Sequence, residues 1–241
     1  MGRHTKCWIG AVSVAVAVTA AGWISPAAAE ELDVTCTSPE QATVSGTTGT
    51  SGSDVIYGTE GNDVIEAGDG DDFVCGLGGN DTIRGGSGAD ALLGGYGDDN
   101  VSGGVGDDQL AGGDLGEGGG PFGTSDGNDV LDGGNGNDFA TGQRGVDSVQ
   151  GGNGDDELFG GPGNDTVDGG NGNDFVAGLF GNDTLAGGNG DDVLNGDIFD
   201  QESFEFGLDP MPNTDACNGG KGEDAGAFCE NPIDVEADIT A

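Results

Sequence analysis

From position 54 onward, large aliphatic side chains recur singly, at every ninth position, against a background of Gly, Asp and Asn. They stand at Ile56, Ile65, Val74, Ile83, Leu92, Val101 and Leu110, and after a break at Leu131, Val149, Leu158, Val167, Val176, Leu185 and Leu194. Ala140 fills the remaining slot of the second series. Two places before each of these residues stands an Asp, and two places before that Asp stands a Gly. The Asp residues are Asp54, Asp63, Asp72, Asp81, Asp90, Asp99, Asp108, Asp129, Asp138, Asp147, Asp156, Asp165, Asp174, Asp183 and Asp192. Their spacing is nine throughout, except for a step of 21 from Asp108 to Asp129, which is one unit plus an insertion of twelve. The position before the Asp is Asn or Asp in twelve of the fifteen units; Ser53, Ala89 and Val146 are the exceptions.

The unit reads GGxGxDxUx, with U a large aliphatic residue. It divides into a Gly-rich turn and a short strand with one inward side chain. Gly is needed where the backbone takes positive φ or approaches another chain closely. Nine residues are too few to close a coil, but two units make one coil with a strand on each side and a turn at each edge. Successive coils then stack as parallel strands about 4.8 Å apart. The aliphatic residues of both sides meet in a thin internal seam. The spacing therefore predicts an all-β repeat array over residues 46–196, with the insertion near 112–126 looped out. A disordered Gly/Asp tract would have no reason to keep one aliphatic residue in phase over so long a stretch.

The phrases GGNGND (Gly133 to Asp138), GGPGNDTV (Gly160 to Val167) and GGNGDDVL (Gly187 to Leu194) resemble the repeat-in-toxin, or haemolysin-type, calcium-binding nonapeptide repeats. The resemblance runs from residue 49 to residue 194. It implies a right-handed parallel β-roll with calcium ions buried along its two edges. It also implies that the Asn or Asp before each key Asp mainly shapes the turn.

The residue chemistry agrees with calcium. Calcium takes six to eight oxygens at loose geometry. Gly-rich turns expose carbonyls, and Asp adds a short carboxylate. Turns on one edge lie eighteen residues apart, so an ion between them is shared by one Asp and the Asp eighteen further on. One edge is expected to hold Asp54, Asp72, Asp90, Asp108, Asp138, Asp156, Asp174 and Asp192. The other is expected to hold Asp63, Asp81, Asp99, Asp129, Asp147, Asp165 and Asp183. Asp residues that merely cap their own turns would account for the local pattern but would leave the charge uncompensated. Zinc and copper prefer nitrogen and sulfur ligands, which are scarce here, and magnesium demands tight octahedral geometry.

Charge sharpens the picture. The chain of 241 residues has 45 Asp and Glu against five Lys and Arg, and its one His is His4. Arg3 and Lys6 precede an apolar run, Cys7 to Ile24, and the small residues Ala27, Ala28 and Ala29. These are the parts of a secretory signal peptide over residues 1–29. An uncleaved anchor is the rival reading. After cleavage three cations (Arg84, Arg144, Lys221) face 45 anions, a net charge of −42. Such a chain attracts cations and repels nucleic acid and anionic membrane. An exported, extracellular product without membrane insertion is expected. Cys36, Cys75, Cys217 and Cys229 then suggest two disulfides. Three connectivities are open, of which Cys36–Cys75 with Cys217–Cys229 is the most local.

Residues 30–45 read as an N-terminal cap, and residues 197–241 as an irregular loop, decayed repeats and a C-terminal cap. Asp215 and Asp224 keep the spacing of nine, but Cys217 and Gly226 stand in their aliphatic slots. Without a His after the leader, Ser-His-Asp and Cys-His catalysis are excluded. Carboxylate pairs recur in every unit, so none is singled out, and no enzyme activity is expected. The irregular stretch 197–213 carries Phe199, Phe204 and Phe206 among acidic residues; its rings are expected to pack back on the roll rather than to meet a partner. The outward slots Val55, Phe73, Asn100, Gln109 and Glu157 show no regular ladder of the kind an ice-binding surface needs. A calcium-dependent adhesive or matrix module with an extracellular partner is the alternative to passive calcium binding.

Overall fold

The computed structural model describes residues 46–113, 127–196 and 216–222, and the backbone alone of 225–227 and 237–238. Residues 1–45, 114–126 and 197–215, with Cys36, Cys229, Asp215 and Asp224 among the rest, lie outside the described residues.

Among the described residues every regular element is a strand. In chain order these are β1 (Val55–Tyr57), β2 (Val64–Asp69), β3 (Phe73–Gly78), β4 (Thr82–Ser87), β5 (Ala91–Tyr96), β6 (Asn100–Val105), β7 (Gln109–Ala111), β8 (Val130–Asn135) and β9 (Phe139–Thr141). There follow β10 (Ser148–Asn153), β11 (Glu157–Pro162), β12 (Thr166–Asn171), β13 (Phe175–Phe180), β14 (Thr184–Asn189), β15 (Val193–Asn195), β16 (Ala216–Lys221), β17 (Ala225–Ala227) and β18 (Ala237–Asp238). Odd-numbered strands, with β18, form a ten-stranded sheet; even-numbered strands form an eight-stranded sheet. All pairings are parallel. The chain therefore alternates between the two sheets at every unit, as two units per coil require.

Register follows the repeat. Val55 lies beside Phe73 and Val64 beside Thr82, eighteen residues on. Across the first insertion Asn100 pairs with Val130 and Gln109 with Phe139, so the twelve extra residues loop out without disturbing the alternation. Across the second, Thr184 pairs with Ala216 and Val193 with Ala225. The decayed end units thus keep their place in the stack.

The core is the single seam that the period of nine demands. It runs through Ile56, Ile65, Val74, Ile83, Leu92, Val101, Leu110, Leu131, Val149, Leu158, Val167, Val176, Leu185 and Leu194, each at most 1% exposed, with Ala140 and Cys217 in the same row. Each such side chain stabilises the fold by about 1.5–3 kcal/mol. One buried side chain per nine ordered residues is a thin core, so the edges bear much of the burden of holding the coil.

Candidate metal centre

Most of the described turns are built the same way from their glycines. Four places before the Asp the backbone takes a left-handed φ, as at Gly152 (+114°), Gly170 (+106°) and Gly188 (+106°). Leu77, Gln143 and Leu179 occupy this same position in their units, and they are the three non-Gly residues with positive φ among those described. The first Gly of the unit has a different reason to lack a side chain. A Cβ on Gly151 would lie 2.3 Å from Oδ2 of Asp156 and 2.6 Å from the carbonyl oxygen of Gly169 in the next coil. On Gly85 it would meet Asp90 Oδ2 at 2.3 Å and the Gly103 carbonyl at 2.6 Å. A carboxylate oxygen and a carbonyl oxygen from two stacked turns thus converge on one small space that Gly leaves open; in the unit of Asp72 the same slot holds the buried Ala67.

The key Asp residues form two ladders. On the edge leading into the ten-stranded sheet, the backbone N–H of Asp54 donates to Oδ1 of Asp72, and that of Asp72 to Asp90, at 2.8 and 2.9 Å. The same link joins Asp90 to Asp108, Asp108 to Asp138, Asp138 to Asp156, Asp156 to Asp174 and Asp174 to Asp192. On the opposite edge it joins Asp63, Asp81, Asp99, Asp129, Asp147, Asp165 and Asp183 in turn. Every key Asp but Asp63 is buried.

Oδ1 is satisfied by the neighbouring coil; Oδ2 is not. In Asp72, Asp81, Asp90, Asp99, Asp108, Asp129, Asp138, Asp156, Asp165 and Asp174 the Oδ2 atom is buried and accepts no hydrogen bond. A buried carboxylate oxygen without a partner is costly. Desolvation accordingly pushes these carboxyls up, Asp90 to about 6, Asp99, Asp138, Asp165 and Asp174 to about 7, and Asp129 to about 8. The negative charge of stacked Asp neighbours adds to the shift. Rows of partnerless oxygens, each beside backbone carbonyls, form a donor set of the kind that hard cations take.

Asp54 and Asp63 differ. Oδ2 of Asp54 accepts hydrogen bonds from the N–H (2.6 Å) and hydroxyl (2.8 Å) of Thr50. Oδ2 of Asp63 accepts the same pair, at the same distances, from Thr59. Thr50 and Thr59 stand where later units place a left-handed Gly, and neither has positive φ. In the first two turns a hydroxyl thus does what is left undone elsewhere. The signal lay in the sequence, as Thr in place of Gly four residues before the Asp.

The residue before the key Asp plays another part. Asn137 donates its N–H to Asp107 Oδ1, Asp155 to Asn137 and Asn173 to Asp155, all from exposed positions. These side chains tie turn to turn on the outside. A second exposed ladder joins the amides of Asn135, Asn153, Asn171 and Asn189 at 2.8–2.9 Å. Among the described residues no three His, Cys, Asp or Glu side chains converge as a metal cluster.

The chain matches the family described as RTX calcium-binding nonapeptide repeat (4 copies) at residues 48–83, 84–114, 124–149, 141–176 and 168–200. It belongs to that family. No curated protein matches it. RTX nonapeptide repeats bind calcium ions at multiple sites, and the orphaned Oδ2 atoms and open glycine cradles of this RTX roll fit that ion.

Proposed function

We propose that this RTX chain is an exported, non-catalytic protein whose roll folds as it takes up calcium. The observation that carries the reading is the row of buried, partnerless Oδ2 atoms along both edges. Without cations these carboxylates oppose compaction, both by desolvation and by mutual repulsion. With calcium between the turns, the same atoms hold the coils together. The ligands in this reading are Asp72, Asp81, Asp90, Asp99, Asp108, Asp129, Asp138, Asp156, Asp165 and Asp174, and by position Asp147, Asp183 and Asp192. Asp54 and Asp63 serve their own Thr-capped turns. Binding and folding are then one equilibrium, and because the chain meets calcium outside the cell, folding waits until after export. The test is far-UV circular dichroism in a calcium titration, with magnesium as control. At neutral pH, a cooperative gain of β signal with calcium alone supports the reading; a β-rich spectrum in chelator contradicts it.

Export rests on the leader-like start. Disulfides at the ends of the roll belong to the same reading. Cys75 and Cys217 are both buried, at 0% and 1% exposure, and neither stands alone as a free thiol. They lie near opposite ends of the stack, some six strand spacings or roughly 29 Å apart. A disulfide needs Cα atoms within about 7 Å, so each pairs with Cys36 or Cys229. Peptide mapping without reductant identifies the pairs. A calcium-dependent adhesive role is the second reading, favoured by the exposed outer face of the eight-stranded sheet. A pull-down with calcium present separates it from passive ion binding.

A further inference from the structure

The slot three places before the key Asp is filled differently on the two edges. On the edge of Asp138, Asp156, Asp174 and Asp192 it holds Asn135, Asn153, Asn171 and Asn189, all exposed. On the opposite edge it holds Glu60, Gly78, Tyr96, Arg144, Pro162 and Phe180. Each of the four Asn residues is followed by a Gly: Gly136, Gly154, Gly172 and Gly190. An Asn–Gly pair in an open chain is prone to cyclise on itself, because Gly has no Cβ to keep its nitrogen from the Asn side chain. In the roll the groups such a reaction uses are all held. The N–H of Gly136 donates to the carbonyl of Asn153 in the next coil, that of Gly154 to Asn171, that of Gly172 to Asn189 and that of Gly190 to Lys221, at 2.7–2.9 Å. The Asn amides are strung together, Nδ2 of Asn153, Asn171 and Asn189 each donating to Oδ1 of the Asn one coil back at 2.8–2.9 Å. The four Gly residues are fixed at φ between +138° and +141°. Each packs so closely on the Gly carbonyl of the preceding coil that a Cβ would have no room.

We propose that these four Asn–Gly pairs are sites of spontaneous deamidation that the stacked roll shuts off, so that each chain carries a covalent record of the time it spends unfolded. In the open chain the Gly nitrogen gives its proton to water and bonds to Cγ of the Asn. The Cγ–Nδ2 bond breaks, and ammonia leaves. Water then opens the cyclic imide. Attack at Cγ gives Asp; attack at the main-chain carbonyl gives isoaspartate, whose backbone is longer by one carbon. Water is the only co-reactant. Neither product suits the stack. Asp puts a carboxylate where an amide donated, and like charges facing each other across paired strands repel. Isoaspartate lengthens one coil, whereas the strands here pair at a fixed offset of eighteen residues, Asn153 beside Asn171 and Asn171 beside Asn189. The link to calcium rests on the ion-coupled folding proposed above. A chain that meets the ion promptly is protected, and one that waits loses the ability to form the later coils.

The test holds the full chain at neutral pH in calcium, in chelator, and in chelator with urea. Peptide mass spectrometry follows each Asn over time, with isoaspartate resolved from Asp. Asn135, Asn153, Asn171 and Asn189 should deamidate in urea, and at least about tenfold more slowly in the calcium-loaded roll. Asn137 and Asn173, each followed by Asp, serve as internal controls and should react slowly throughout. Equal rates at the four sites in calcium and in urea, or control rates in urea that match theirs, overturn the proposal. The chelator arm tells the two readings apart. Rates like those in urea uphold both; protection together with a β signal strikes the calcium-coupled folding and leaves protection by the roll standing. Ion exchange then separates modified from intact chains of the aged sample. Intact chains should regain the cooperative β signal in calcium, and modified chains should show a raised calcium midpoint or no folding. Equal midpoints overturn the claim that the modification limits folding.

Discussion

The first coil of the roll and the coils after it solve one problem in two ways. Each must hold a short carboxylate at a tight edge. Asp54 and Asp63 do so with the N–H and hydroxyl of Thr50 and Thr59. From Asp72 onward Gly, Leu or Gln stands where the Thr was, except before Asp129, where twelve residues are inserted, and the buried Oδ2 atoms of Asp72, Asp81, Asp90, Asp99, Asp108, Asp129, Asp138, Asp156, Asp165 and Asp174 accept no hydrogen bond. On the proposed reading, the difference marks where calcium dependence begins: a Thr-capped turn is complete as peptide, and a Gly turn is completed by an ion. The N-terminal coil can then act as a metal-independent template on which the ion-dependent coils stack.

The sharpest way to break this contrast is pH. In the ion-free roll, burial holds the later Asp carboxyls above the value of about 3.9 they have in an unfolded chain. Folding then takes up protons, so the stability they contribute is present below about pH 4 and is lost as pH rises through the values near 6–8 that they reach in the roll. Chelated protein should therefore gain β signal on acidification from pH 7 to 4. Calcium-loaded protein should do the reverse, because its ligands must be deprotonated. Circular dichroism against pH, with and without chelator, checks the opposite signs; the same sign in both would refute it.

Next come the glycines. Gly154 has φ +138°, and a Cβ there would lie 1.7 Å from the Gly136 carbonyl oxygen. Gly52, the matching residue of the first turn, lacks positive φ and has nothing within 4 Å of its Cβ position. Gly154→Ala should destabilise the calcium-loaded roll by about 2–4 kcal/mol or prevent folding, and Gly52→Ala by less than about 0.5 kcal/mol. Thermal melts in calcium measure both.

A smaller effect is expected at the caps. Thr59→Ala removes the hydroxyl that Asp63 Oδ2 accepts from and should cost about 1 kcal/mol, independent of calcium concentration in the melts. A cost that vanished at high calcium would mean that the ion holds this turn too. Smallest of all, Gln143→Gly should relieve the left-handed strain at φ +74° and stabilise the roll by up to about 1 kcal/mol.

The coil was legible in the sequence because every ninth residue meets the same surroundings, so one slot's chemistry repeats in all of them. The alternation of edges followed from the same arithmetic; that the twelve inserted residues leave it undisturbed was an assumption, which the pairing of Asn100 with Val130 and Gln109 with Phe139 bears out. The two capped turns were obscured because Asp54 and Asp63 keep the spacing; only the residue four places earlier sets them apart. The unlike outer faces, with all five described Phe residues on the ten-stranded sheet, were obscured for another reason. Outward slots read in one series mix the two sheets, and Val55, Phe73 and Asn100 look irregular until alternate units are separated. Residues 114–126 and 197–215 have no period, so nothing in the repeat bears on them.

The central claim is that the later Asp residues hold ions and the first two hold their own turns. Calcium counting by equilibrium dialysis on the parent, Asp156→Asn and Asp63→Asn tests it most directly. The account predicts fewer bound ions, and a higher calcium midpoint, for Asp156→Asn, with the parent count retained by Asp63→Asn. Equal losses in both variants, or none in Asp156→Asn, would contradict it.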